Sequence, residues 1–408
     1  MSNGRKGWFY PSLTALAIAV ATSPVAQEQE DESLEHIEVN PMQSYRSTAT
    51  KSSLRPIDSP VSISVIDQEL LQLRQAQTVS EALRYSSGVT TESRPTITIF
   101  DQFTIRGFDT YQTFYDGLPL LSNNSWNLYP QVDSFATESL EILKGPASSL
   151  YGLVPPGGMV NQVAKYPKDE DETLVRAAVG SDNLLELGVD TTGQLTDNAR
   201  YRLVALGRKQ DGFQDTTENE RYTIAPSVTI DLTKATELTL SAYYQDDPEM
   251  VPSTPLPGVG TLYEAPYGKL DASVYAGDEN WNSYSREVLM LGYKVNHEFN
   301  NDWSVLQKFR YTDADALQQN SYHSGEPTDG IYLTRSAYLT DEEIDGVTVD
   351  TQLAGFVQTG DVAHNLLFGL DYQNSDSTVA YRDTLTTDTP VLDLSNIDND
   401  LFDVSSLP

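Results

Sequence analysis

Along this chain, hydrophobic and polar positions follow two different rhythms, and the change falls near residue 170. In the first region "PVSISVID" places Val61, Ile63 and Val65 at every second position, which predicts a strand, and "QELLQLRQ" follows as a short helix. Thr78 opens "TVSEALRYSSG" with a capping box through Glu81, and Gly88 is expected to close that helix. "FTIRGFDTYQTFYDGLPL" reads as two strands meeting at a turn, so the region is mixed α/β. Beyond about residue 173 only strict alternation remains. In "TELTLSAYYQD", Leu238, Leu240, Ala242 and Tyr244 face one way and Glu237, Thr239, Ser241 and Gln245 the other. "DWSVLQKFRYT" sets Trp303, Val305, Phe309 and Tyr311 against Ser304, Lys308, Arg310 and Thr312, and "HNLLFGLDYQN" repeats the rhythm with Leu366, Phe368, Leu370 and Tyr372. Strands of ~10 residues with aromatics near their ends, separated alternately by short turns and long loops, are the pattern of a transmembrane β-barrel. The turn "TTGQLTDNA" is short and the loop over residues 246–283 is long. A sandwich would share the alternation, but loops of that length fit a barrel better.

Between the two rhythms runs "LEILKGPASSLYGLVPPGGMVNQVAKYP", which crowds Gly145, Pro146, Gly152, Pro155, Pro156, Gly157 and Gly158 together. A phosphate-cradling loop needs Gly-Lys-Ser/Thr after free N–H groups, whereas here Lys144 precedes the glycine and Pro146 lacks a donor. A flexible linker would not thread Leu143, Leu150, Tyr151, Leu153 and Val154 between the glycines. Tight, packed turns between short strands remain.

The N-terminus explains how such an object reaches its site. Arg5 and Lys6 precede an apolar stretch and then small residues, so residues 1–26 read as a secretory signal peptide. No later run approaches the ~18 apolar residues of a membrane helix. Residues 27–54 are too polar to fold alone. Within them "EHIEVN" (Glu35, His36, Ile37, Glu38, Val39, Asn40) alternates apolar and polar side chains and could add as a strand to a partner's sheet edge.

Composition removes several function classes. The net charge of −33 argues against nucleic acid and reads as solvated acidic loops. Arg106-Gly107-Phe108 superficially resembles an RNA-binding motif, but Asp109 breaks it. With no cysteine there is no disulfide framework and no thiolate metal site. His36, His297, His323 and His364 show no triad context, so a hydrolase is not supported.

"FTIRGF", "YDGLP", "LEILKGPASSLYG" and "PPGGMVNQVAKYP" resemble the plug motifs of TonB-dependent outer-membrane siderophore receptors. "HIEVN" is similar to their energy-coupling box, and "YSREVLMLGYKVNHEFNNDWSVLQKFRY" and "GDVAHNLLFGLDY" resemble the barrel of the ferric hydroxamate subgroup. The resemblance implies a 22-stranded class of membrane β-barrel with an α/β plug in its lumen. Arg106, Gly107, Gly145, Pro146, Gly152, Gly157 and Gly158 would shape that plug. The implied divisions are a signal peptide (1–26), a periplasmic segment (27–54), a plug (55–167) and a partial barrel (168–408).

It also implies a Gram-negative outer-membrane location, TonB and lipid as partners, and a ferric siderophore of hydroxamate type as ligand. The iron would stay inside its chelate, with no protein cofactor, metal site or enzymatic activity. Arg94, twelve residues before Arg106, takes the place of a plug-apex ligand residue. Trp126 in "NNSWNLYP" and Tyr332 in "GIYLTR" take the places of ligand aromatics, and Tyr111 and Gln112 lie in the apex turn. "EMVPSTPLPG" departs from the subgroup by putting Ser and Pro where ligand-facing aromatics are expected. The physical chemistry agrees in kind, because a saturated chelate needs aromatic faces and a few Arg or Tyr donors.

About nine or ten alternating segments follow residue 173, and the chain stops at "DVSSLP" in what reads as a loop. The expectation is a signal, coupling segment, plug and first half of a barrel. A receptor for cobalamin or an oligosaccharide is the alternative, and a secreted β-rich adhesin is a rival that the plug motifs disfavour.

Overall fold

The computed structural model describes residue 51 and residues 61–407, apart from 92, 95, 124–125, 253, 324 and 385–388. The signal-peptide and coupling-box readings lie outside the described residues.

The first region forms β1 (Ser62–Asp67), α1 (Gln68–Arg74), α2 (Val79–Ala82), β2 (Val89–Thr91), β3 (Phe103–Ile105), β4 (Phe108–Thr110), β5 (Phe114–Tyr115) and β6 (Leu118–Pro119). It continues with β7 (Thr137–Lys144), α3 (Ser148–Tyr151) and β8 (Gly158–Ala164). The sheet order β1-β7-β8-β5-β6 is five-stranded, and β2-β3-β4 form a separate three-stranded sheet. Asp67 caps α1 through the Leu70 N–H at 2.9 Å, and Thr78 caps α2 through that of Glu81 at 3.2 Å.

Three sequence expectations change here. Gly88 does not close α2, which ends at Ala82; it sits at φ +73° and its carbonyl accepts from Arg106 N–H, docking the β3–β4 turn. The segment expected to hold one turn holds two, Arg106-Gly107 and Asp116-Gly117, each with both residues at positive φ as tight hairpins require. In β1 the alternation breaks: Val65 is exposed and Ile66 is buried. This edge strand pairs only with β7 and turns Ile66 toward the plug core of Leu71, Val79, Phe103, Leu140 and Val160.

The glycine run is tightly packed, with apolar side chains among its turns. A Cβ on Gly158 would lie 2.0 Å from the Leu143 carbonyl oxygen, and one on Gly157 2.0 Å from that of Ile105. Backbone thus lies directly on backbone, while Leu143, Tyr151 and Val154 fill the adjoining core with Phe114 and Met159.

The second region is an antiparallel meander of β9 (Glu172–Val179), β10 (Leu185–Thr196), β11 (Ala199–Asp211), β12 (Glu218–Thr233), β13 (Thr236–Glu249), β14 (Ser283–Glu298), β15 (Trp303–His323), β17 (Arg335–Thr359) and β18 (Val362–Asp383). Its burial is inverted relative to a soluble sheet. Ser304, Lys308, Arg310 and Thr312 are buried, whereas Leu240, Tyr244, Phe368, Leu370 and Tyr372 are exposed. The polar face covers the plug and the apolar face looks outward, as a barrel wall in lipid requires.

The acidic charge is not confined to loops. Strand β15 runs 21 residues and β17 runs 25, longer than the ~9–11 that cross a bilayer. On the part nearest the long loops their outward positions become Asp313, Asp315, Asp341, Glu343 and Asp345. At that end two short strands, β16 (Tyr332–Leu333) and β19 (Leu392–Asp393), pair across a small core of Ala276, Leu333, Leu392 and Leu394.

Candidate functional site: plug apex and lumen wall

The plug meets the wall through charged contacts of two kinds. Asp133, fully buried just before β7, accepts from Arg208 at 2.8 Å and Arg221 at 3.3 Å. Asp247 accepts from Arg221 and Arg286, both at 2.6 Å. Arg286 also reaches the plug directly, donating to the carbonyls of Ile99 at 3.0 Å and Tyr129 at 2.6 Å and to Gln131 Oε1 at 2.8 Å. Burial alone would raise the Asp133 carboxyl, but Arg208 and Arg221 outweigh it and hold it down at about 2. Toward the short turns, Lys308 donates to the Asp116 carbonyl at 2.6 Å, and Arg310 to those of Tyr115 at 3.0 Å and Pro119 at 2.6 Å.

One face of the plug lies on the side of the long loops. There Phe100, Tyr111 and Tyr129 form a triangle, with ring centroids 5.4, 5.9 and 5.7 Å apart. Beside it Trp126 lies 5.3 Å from Tyr381, which stacks on Tyr338 at 6.1 Å. The segment carrying Trp126 is pinned to the wall: Glu342 accepts the N–H groups of Asn127 at 3.1 Å and Leu128 at 3.0 Å, and Asn127 Nδ2 donates to Gln318 Oε1 at 2.6 Å. Gln318 and Asn320 both donate to the Tyr338 hydroxyl. Burial, with Tyr111 and Glu342 nearby, pushes the Tyr129 hydroxyl up, which keeps it a neutral donor.

Of the residues singled out from sequence, Arg94 is exposed and lines a cavity of about 80 Å³ with Phe100, Asp101 and Gln131. Tyr111 joins the same neighbourhood through Phe100. Gln112 is half-buried, and its backbone carbonyl accepts from Thr110. Trp126 belongs to the neighbouring Tyr381–Tyr338 stack. Tyr332 stands apart, 46% exposed on the β16–β19 ladder. Phe100, Tyr129, Tyr338 and Tyr381 were not singled out from sequence. Strand pairing assembles the last two, with Tyr338 opposite Asp383, and no local motif marks them.

An α/β plug seated on the polar face of an antiparallel membrane sheet defines a plugged outer-membrane barrel. Residues 55–159 match the TonB-dependent Receptor Plug Domain. The chain is 33% identical over 392 residues, 89% of its length and 51% of the relative's, to the Ferrichrome outer membrane transporter/phage receptor of Escherichia coli K12. It is 32% identical over 371 residues to the Ferrioxamine B receptor of Salmonella typhimurium, covering 90% of this chain and 52% of that one. Among solved structures, the open form of the Ferric-Catecholate import receptor Fiu from E. coli K12 superposes with a TM-score of 0.77 at 23% identity, covering 88% of this chain and 55% of that one. The chain belongs to the TonB-dependent outer-membrane receptors and spans about half the length of the curated relatives it matches.

Proposed function

We propose that this receptor takes up a ferric siderophore of the hydroxamate class across the outer membrane, energised through TonB. The observation that carries the reading is the apex: two aromatic groups, Phe100–Tyr111–Tyr129 on the plug and Trp126–Tyr381–Tyr338 across plug and wall, with the exposed Arg94 lining a cavity with Phe100. A chelate whose iron is already saturated presents carbon skeleton and a few oxygens, which aromatic faces and a guanidinium suit. The relatives named for ferrichrome and ferrioxamine B support the hydroxamate class over a catecholate.

Trp126 would bury the ligand's skeleton, Arg94 would donate to chelate oxygens, and Tyr111 and Gln112 would line the approach. Tyr332 would contact ligand only as the loops close. Fluorescence titration of the intact receptor with ferric hydroxamates and ferric catecholates tests this. Arg94→Ala and Trp126→Ala should each weaken hydroxamate binding roughly ten-fold or more. Parent-like binding of every chelate by both variants rejects the site.

Coupling would run through Glu35, His36, Ile37, Glu38, Val39 and Asn40, adding as a strand to TonB's sheet edge. Ile37→Pro removes a ladder donor. It should abolish uptake while leaving surface binding intact, and normal uptake would exclude this segment as the coupling strand.

A further inference from the structure

Near the β5–β6 turn, a cavity of about 60 Å³ between plug and wall is lined by Tyr115, Asp116, Tyr166, Lys294, Lys308 and Arg310 among others. Lys294 and Lys308 are direct cross-strand partners on β14 and β15, and Arg310 sits opposite Gly292 one inward position further on. Like charges directly opposite destabilise a sheet unless something neutralises them.

Of the neighbouring carboxylates, Asp116 faces all three cations and can balance only one of their charges, and the ion pairs of Asp350 and Asp190 lie elsewhere. Asp116 accepts from the Ala164 N–H at 2.9 Å and from the Tyr166 hydroxyl. Asp350, across from Lys308 on β17, pairs with Lys51 at 3.1 Å, and Asp190 holds Lys165 at 2.8 Å. Among the described residues, the ion pairs include none from Lys294, Lys308 or Arg310. Lys294 Nζ instead lies 3.6 Å from the centre of the Tyr166 ring. Arg310 commits both Nη atoms to plug carbonyls, and its Nε is buried without a partner.

We propose that Lys294, Lys308 and the Nε–H of Arg310 form a site for a small tetrahedral oxyanion, inorganic phosphate or sulfate, at the plug–wall junction. The volume admits more than one water but no siderophore. Two ammonium groups and one N–H supply charge-assisted donors to separate oxygens of such an ion. Bound there, it neutralises the cross-strand lysines and, through the Lys308 bond to Asp116, tightens the hold of the wall on the plug hairpin.

The test is thermal unfolding of the intact receptor in detergent, titrated with sodium phosphate or sulfate against sodium chloride at matched ionic strength. The expected result is a saturable rise in Tm with the oxyanions beyond that with chloride. Lys294→Met and Lys308→Met should each raise the half-saturating concentration roughly ten-fold or more. Lys209→Met, at an exposed ion pair with Glu218, should leave it unchanged. A rise no larger than chloride's, or parent-like half-saturation in Lys294→Met, overturns the proposal. Should a variant fail to fold, tungstate-soaked crystals of the parent decide: a heavy-atom peak between Lys294 and Lys308 is expected, and its absence rejects the site.

Discussion

The plug meets the wall through two chemistries, ion pairs at most of the contact and backbone carbonyls under the β5–β6 hairpin. Toward the long loops, Arg208, Arg221 and Arg286 meet Asp133 and Asp247, so buried charge is matched by buried charge. Toward the short turns, ion pairs join Lys165 of the plug to Asp190 and Glu138 of the plug to Arg202, but under the β5–β6 hairpin Lys308 and Arg310 meet only backbone carbonyls. Carbonyl acceptors recur at every residue, whereas a carboxylate occurs at one. The ion-paired contacts therefore fix the register of plug on wall, and the lower hairpin contact holds the plug without specifying it to the same degree.

Removing Asp133 should have the largest effect. Asp133→Ala leaves Arg208 and Arg221 facing each other without their shared anion, and breaking one partner of a buried ionic cluster costs ~3–5 kcal/mol. Protease susceptibility of the plug in detergent should rise while far-ultraviolet dichroism of the strands persists. Equal resistance in parent and variant would dissolve the contrast.

Acid tests the same contact without mutation. With its carboxyl at about 2 in the folded protein against an ordinary 3.8, Asp133 contributes stability that is fully present above about pH 4. That contribution, about 2 kcal/mol, is lost as pH falls through 2. The melting temperature of the parent should fall across that window by more than that of Asp133→Asn. Parallel profiles would show that Asp133 does not act through its charge.

The smallest effect belongs to the lower contact. Lys308→Met removes one hydrogen bond to a carbonyl but also relieves the repulsion with Lys294, so in chloride buffer the net cost should be about 1 kcal/mol or less. A loss as large as that of Asp133→Ala would place the register in the lower contact instead.

The wall was legible because lipid on one side and plug on the other impose a strict period of two, as in Trp303, Val305, Phe309 and Tyr311. The same parity places Arg202, Arg208, Arg221, Arg286, Lys308 and Arg310 inward, so the charged lining was readable once the face was assigned. The plug was harder. Its strands of two or three residues are too short for periodicity, and Phe114–Tyr115 pairs in parallel with β8 some 47 residues later. Gly88 misled because glycine suits both a helix end and the docking of another turn. At the apex, Arg94 and Trp126 came from motif resemblance, while Tyr338 and Tyr381 are made neighbours by the register of the long β17–β18 hairpin.

The two strand orders also set the sequence in which the chain can acquire structure. Neighbours in the wall are neighbours in the chain, save for the short β16 in a loop, so each strand can zip onto the last, most of them across short connections and β13 to β14 across the long loop. In the plug, β1 must wait for β7, with Ser62 opposite Lys144, and β5 for β8, with Phe114 opposite Asn161. Non-local pairing of this kind is slow relative to local hairpins. The hydrophobic layer joining Leu121, Leu128 and Phe135 to Tyr243, Tyr284 and Met290 needs both partners complete. The wall can therefore form by successive neighbouring pairings, whereas the plug sheet and the layer it shares with the wall await the return of β7 to β1 and of β8 to β5.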